Sequence, residues 1–220
     1  MSPAAAAPAR GRFITIEGGE GAGKSTQAGL LVAALVRLGI AAERTREPGG
    51  SPGAEEIRRL LLEGDAARWD AVSEALLLYA ARRDHVVRLI RPALAAGTWI
   101  IADRFADSTF AYQGYGRGLP VADLAALHRF ALGDFAPDLT VILDLPVDEG
   151  FARLGQRSII ADRFEQLDRA FHQRLRDGFL EIASADHARC VVIDATADQD
   201  SVHRAVLAAV AGRFAMAIAP

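Results

Sequence analysis

The chain has 220 residues, 51% hydrophobic and 24% charged, with 20 Gly, 9 Pro and one Cys; this excludes a disordered or fibrous chain and allows one core burying roughly 70% of the extended chain's surface. Lys and Arg number 25 against 28 Asp and Glu, a formal −3, which argues against a general polyanion or nucleic-acid binder while leaving room for a local Arg cluster on a phosphorylated small molecule. The lone Cys190 excludes an internal disulfide and a multi-cysteine metal site and fits a reducing, cytoplasmic setting, and no apolar stretch approaches the roughly 18 residues of a membrane span.

In chain order, residues 1–11 read as an Ala/Pro-rich disordered tail, residues 12–214 as a single domain and residues 215–220 as a second tail. Short apolar runs predict strands at 13–17, 41–46, 98–103, 139–145 and 190–194, several apolar throughout, as strands covered on both faces are. Three-to-four-residue periodicity predicts helices at 24–38, 54–62, 69–95, 121–132, 162–185 and 198–213. Thr196 with Gln199 three residues on reads as a capping box for the last of these. The alternation defines an α/β, doubly wound, five-stranded parallel sheet flanked by helices.

The first strand runs into Gly18-Gly19-Glu20-Gly21-Ala22-Gly23-Lys24-Ser25-Thr26, a G-x-x-x-x-G-K-[ST] loop between strand and helix. The glycines let successive backbone N–H groups turn inward on a β-phosphate, and the helix N-terminus adds its dipole. Lys24, read as a solvent-facing cation, supplies a point charge between the β- and γ-phosphates, and Ser25 offers a hydroxyl to Mg²⁺. A nucleoside triphosphate is the expected ligand. The Asn-Lys-x-Asp that reads guanine in GTP switches is missing.

The second strand ends in Thr45-Arg46-Glu47-Pro48-Gly49-Gly50 and the third in Asp103-Arg104-Phe105, both at the carboxyl edge where ligands of open α/β sheets collect. Asp103 sits where a carboxylate helps hold Mg²⁺ and its waters, and Arg104 offers a fork to an acceptor phosphate. The stretches Ile16 to Gln27, Arg46-Glu47-Pro48-Gly49-Gly50, Asp103-Arg104-Phe105-Ala106-Asp107-Ser108-Thr109-Phe110-Ala111-Tyr112-Gln113-Gly114 and Asp162-Arg163-Phe164-Glu165, in this order, resemble the thymidylate kinase family. The resemblance covers about residues 12 to 213. It implies a P-loop kinase fold with a short mobile lid at about 153–163, ATP as donor, dTMP as acceptor giving dTDP for dTTP synthesis, Mg²⁺ as cofactor and a homodimer.

By the same resemblance Glu20 is an acidic loop residue near the dTMP sugar and metal, and Arg104 binds the dTMP phosphate. Arg82 contacts the thymine ring, Thr109 faces the base edge and Tyr112 lies beneath the sugar, with Glu47, Pro48, Ser108 and Gln113 completing the acceptor site. Ser25, Asp103 and Glu20 make the metal set. Arg153 and Arg157 are the lid candidates for the transferring phosphate, with Arg163 in the same segment; the sequence does not choose between them. This segment is short and apolar beside the family pattern, and Leu78 stands where the family places Phe against the base, leaving Leu78 and Tyr79 as alternatives. Other readings are a different nucleoside monophosphate kinase, a deoxynucleoside kinase, or a nucleotide-binding module impaired in catalysis. The five His residues show no metal-ligand spacing.

Overall fold

The computed structural model describes residues 9–65, 68–155, 163–165 and 167–216. The apolar runs become β1 (Phe13–Gly18), β2 (Ala42–Arg46), β3 (Trp99–Asp103), β4 (Leu139–Asp144) and β5 (Cys190–Asp194). They form one parallel sheet in the order β2-β3-β1-β4-β5. The order follows from composition: every residue of β1 is buried, while β2 and β5 carry exposed positions and lie at the edges. Two wings diverge from β1, so the crevice at its carboxyl end is where a ligand fits.

The helices are α1 (Lys24–Arg37), α2 (Pro52–Leu62), α3 (Ala71–His85), α4 (Arg91–Ala95), α5 (Ala106–Thr109), α6 (Val121–Leu132), α7 (Val147–Leu154), α8 (Arg169–Ala185) and α9 (Gln199–Phe214). The strand period of two splits β1 between layers. Ile14 and Ile16 pack with α1 and α9 residues such as Leu31, Leu35 and Val206. Phe13 turns to the other face, against Val86, Ile90, Phe105 and Leu132. Beyond them, Phe171, Leu175 and Phe179 of α8 pack with Tyr112 and Ile142.

Three helix expectations change. The helix expected over 69–95 starts at Ala71, capped by the Asp70 carboxylate, and passes through a π-helical turn, Val86–Ile90, before α4. Pro92 in the first turn of α4 has no N–H to give to the preceding turn, so the regular bond pattern breaks there. The helix expected from 162 starts at Arg169, where Asp168 accepts from the Phe171 N–H at 2.7 Å. The last helix is capped by Asp198, which accepts from the N–H groups of Asp200 and Ser201; Thr196 instead gives its N–H and hydroxyl to Asp194. At the N-terminus, the end of the expected tail is tied down: Arg10 pairs with Asp138 at 3.1 Å, and the Gly11 N–H donates to the Leu94 carbonyl at 2.8 Å.

Candidate active site

The phosphate loop joins the centre of the sheet to α1. Gly21 has φ +72°, and a Cβ there would lie 2.5 Å from the Gly150 carbonyl oxygen of α7, so only glycine lets the loop turn this tightly. Lys24 begins α1 and donates from Nζ to the Gly19 carbonyl at 2.6 Å. It is 7% exposed, not solvent-facing as expected. Burial lowers its pKa, as does Arg104, against the opposing pull of Glu20 and Asp103. It is also the only lysine in the chain. Ser25 donates its hydroxyl to the Asp103 carboxylate, joining the helix start to the end of β3.

Asp103 leads into a turn that Arg104 takes in the left-handed region, φ +71°, a conformation that costs a side-chain-bearing residue about 1–3 kcal/mol. Several contacts hold it. The Arg104 N–H donates to the Ile16 carbonyl at 3.0 Å, and its guanidinium donates to the Gly18 carbonyl at 3.1 Å and to Glu20 at 2.5 Å, with the Tyr112 ring 5.0 Å beneath. The Tyr112 hydroxyl also donates to Glu20. Burial alone would raise the Glu20 carboxyl, but Arg104, then Lys24 and the Tyr112 hydroxyl, hold it down at about 2.

Glu17, one step before the glycine loop, secures the same turn from below. It accepts from the Phe105 N–H at 2.7 Å and the Ser108 hydroxyl at 2.6 Å. Burial, followed by the charge of Asp107, raises its carboxyl to about 7.

Between loop, turn and α3 lies a cavity of about 280 Å³, lined by Glu20, Lys24, Ser25, Thr26, Glu47, Pro48, Arg82, Asp103, Arg104, Ser108, Thr109, Tyr112 and Gln113 among others. The structure therefore brings nearly all the expected donor and acceptor residues to one space. Three of its buried lining residues hold a polar atom with no partner: one terminal nitrogen of Arg82, the Thr109 hydroxyl and the Gln113 side-chain oxygen. A buried group without a partner costs about 1–3 kcal/mol, so a polar ligand that satisfies all three gains from each. Leu78 and Phe105 give the space apolar walls.

Leu78 lines the cavity, whereas Tyr79, buried behind it, stacks under Arg82 at 4.7 Å and bonds His128 at 3.3 Å. Arg153 is directed away from the cavity and donates to the Ala195 and Thr196 carbonyls at 3.0 and 3.5 Å, in the loop after β5. Arg157 lies outside the described residues, as does most of the expected lid. Arg163 corrects the expectation of a free lid cation: it is 1% exposed and paired with Glu74. Phe164 and Glu165 line the cavity beside Leu62, Arg46 and Arg58.

Sequence reasoning missed Glu17, Glu74 and His85. A signal was there for two of them. Glu74, Leu78, Arg82 and His85 repeat at four, four and three residues along α3, one face of a helix, and all four are buried. Polar residues on a buried helix face point to a site.

A parallel sheet with this strand order, a lysine-bearing glycine loop after β1 and a polar cavity that the loop shares with α3 and the turn after β3 define a P-loop phosphotransferase acting on a small acceptor. Comparison with known proteins narrows the class. The Thymidylate kinase family model matches residues 16–206. The thymidylate kinase of Caulobacter vibrioides is 54% identical over 207 residues, covering 94% of this chain and 99% of that protein. That of Nitrobacter hamburgensis is 54% identical over 211 residues, covering 94% and 91%. The crystal structure of thymidylate kinase from Ehrlichia chaffeensis superposes with a TM-score of 0.73 at 36% identity, covering 91% of this chain and 99% of that one. The chain belongs to the thymidylate kinase family.

Proposed function

We propose a division of labour within this chain for the activity of its family, transfer of the γ-phosphoryl group of ATP to dTMP. The observation that supports it is the set of three buried, unpartnered polar atoms on Arg82, Thr109 and Gln113, residues that line a cavity beside the phosphate loop. A pyrimidine edge presents carbonyl acceptors and an N–H donor. The Arg82 nitrogen suits a carbonyl, the Gln113 oxygen suits the N–H, and the Thr109 hydroxyl serves either.

In this reading the backbone of residues 18–24 cradles the donor phosphates, with Ser25 and Thr26 at the helix start. Lys24 leaves the Gly19 carbonyl for the transferring group. Arg104, held by Glu20 and Tyr112, grips the acceptor phosphate, while Ser108 supports it from Glu17. An acceptor phosphate oxygen attacks the γ-phosphorus as the bond to the β–γ bridging oxygen breaks, giving dTDP and ADP. The acceptor oxygen is already charged, so alignment and charge neutralisation do the catalysis and a strong base is not needed. Arg153 and Arg157 remain the cations proposed for the transferring phosphate, and Arg153 reaches it by leaving the Ala195 and Thr196 carbonyls.

Ser25 and Asp103 would hold Mg²⁺. A hydroxyl and one carboxylate meet at the loop, and the described residues contain no cluster of three or more metal-ligating side chains, which suits an ion bound mainly by phosphates and water. When bound, Mg²⁺ neutralises charge on the β- and γ-phosphates. Glu20 is engaged by Arg104 and Tyr112 and acts on the metal from a distance.

A homodimer has a surface available. Val72 and Leu76 of α3 and Val87 of the following turn are about half exposed, and Phe130 of α6, which packs beside α3, is 90% exposed. A second copy covering these side chains accounts for their exposure. No helix of the described residues is long and apolar enough to cross a membrane. The chain's one cysteine, Cys190, is free and buried, which fits the reducing cytoplasm we propose. A coupled assay with ATP and a panel of nucleoside monophosphates and nucleosides tests the reading. dTMP gives the highest kcat/KM if it holds, and a purine monophosphate or an unphosphorylated nucleoside as the better acceptor rejects it.

A further inference from the structure

His85 ends α3 with no exposed surface and takes no part in the cavity lining. Its ring sits in the middle of an unbroken line of buried hydrogen bonds. The Thr45 hydroxyl at the end of β2 meets Nε2 at 2.7 Å, and Nδ1 meets Glu47 Oε1 at 3.0 Å. Glu47 Oε2 in turn accepts from Arg82 Nε at 2.7 Å. The second terminal nitrogen of Arg82 donates to the Phe105 carbonyl at 3.0 Å, leaving the remaining one without a partner.

An ionised Glu47 only accepts, so Nδ1 must carry a proton toward it. Each carboxylate oxygen then has one donor: His85 fixes the first and Arg82 uses the second. With the carboxylate pinned at both ends, the plane of the Arg82 guanidinium is set, and so is the direction of its unpartnered nitrogen. The loop between β2 and α2 is built around this ring. Gly50 has φ +88°, and a Cβ there would stand 2.3 Å from His85 Nε2 and 2.6 Å from Thr45 Oγ1. Any larger residue would displace the imidazole.

We infer that His85 is a positioning residue for acceptor recognition, acting through Glu47 to orient the Arg82 guanidinium toward the nucleobase. The inference rests on the reading of Arg82 as the base contact, and the two are separable by experiment. An asparagine amide nitrogen falls near the place of Nδ1, and a glutamine amide nitrogen near that of Nε2. H85N therefore keeps the bond to Glu47 and loses Thr45, whereas H85Q keeps Thr45 and loses Glu47.

Steady-state kinetics of wild type, H85N, H85Q and R82A give KM for dTMP and for ATP in each. The expected result is a KM for dTMP raised about tenfold in H85Q, as for one buried charged group losing a partner. In H85N it stays within about threefold of wild type, and KM for ATP is unchanged in both. Equal changes in H85N and H85Q, or a parallel rise in KM for ATP, overturn the inference by reducing His85 to packing. If R82A itself leaves KM for dTMP unchanged, the reading of Arg82 fails; if R82A raises it while H85Q does not, only the role of His85 fails. Should H85Q not fold, the Arg82 Nε–H resonance of nitrogen-15-labelled H85F, which keeps the ring volume and cannot donate to Glu47, decides against that of H85N. A shifted, faster-exchanging signal in H85F sustains the relay, and a signal the same in H85F and H85N removes it.

Discussion

The two halves of the cleft are built by opposite means. The proposed donor half is one continuous loop, Gly18 to Thr26, which offers backbone N–H groups and a single lysine. The proposed acceptor half draws side chains from the loop after β2, from α3, from the turn after β3 and from Phe110–Gly116, and holds them with charge pairs, half-buried for Glu20 with Arg104 and buried for Glu47 with Arg82 and Glu74 with Arg163. Backbone ligands read the phosphate chain that all nucleotides share. Paired side chains, each fixed by a partner, can read one base and one sugar.

If the donor half depends on one added charge, its removal is the largest expected effect. Lys24→Ala lowers kcat by about 10³-fold or more, with the thermal midpoint held within about 3 °C of wild type. The variant removes a charge that burial disfavours, so the fold loses little. Near-normal turnover in a folded variant would mean that the backbone cradle suffices.

The proposed sugar contact, Tyr112, sharpens the acceptor half. Tyr112 fills space beneath Arg104 and touches Phe164 edge-on at 5.5 Å. Tyr112→Ala should narrow the preference for dTMP over its ribose counterpart by about 1–3 kcal/mol, read as the ratio of kcat/KM values, with discrimination against dUMP changing less. A sugar ratio that stays fixed while the base ratio collapses would put Tyr112 against the base.

A smaller effect concerns the support under both halves. Glu17 is raised from its ordinary 4.5 to about 7, so between those values the folded chain holds a proton that the unfolded chain releases. Its contribution to stability therefore falls as pH rises through that window and is lost above about 7. Glu17→Gln should flatten the dependence, so that the urea midpoint changes less between pH 5 and pH 8 than in wild type. Equal changes in the two proteins would show that Glu17 does not titrate there.

The same contrast explains what the sequence made legible. The donor loop is contiguous, so its chemistry and its place at the end of β1 could be read directly. The strands were nearly as clear, because burial on both faces leaves apolar runs. The acceptor residues were legible as short motifs, but their partners were not, since an ion pair such as Glu74 with Arg163 joins positions 89 residues apart. Arg163 read as a mobile cation because its sequence neighbours say nothing of Glu74. Thr196 read as a cap because Asp198, the better-placed oxygen, lies two residues further on. His85 carried no metal spacing, and only its place on the face of α3 shared with Arg82 marks it.

The division of the cleft is tested most directly by Arg104→Ala. Its partner in the account is the acceptor phosphate, so kcat/KM for dTMP should fall by about 10²-fold or more, the loss of a buried charge-assisted contact. The Kd for ATP, measured by calorimetry on the same preparation, should stay within about threefold. A comparable loss in both would contradict the account and place Arg104 on the donor side.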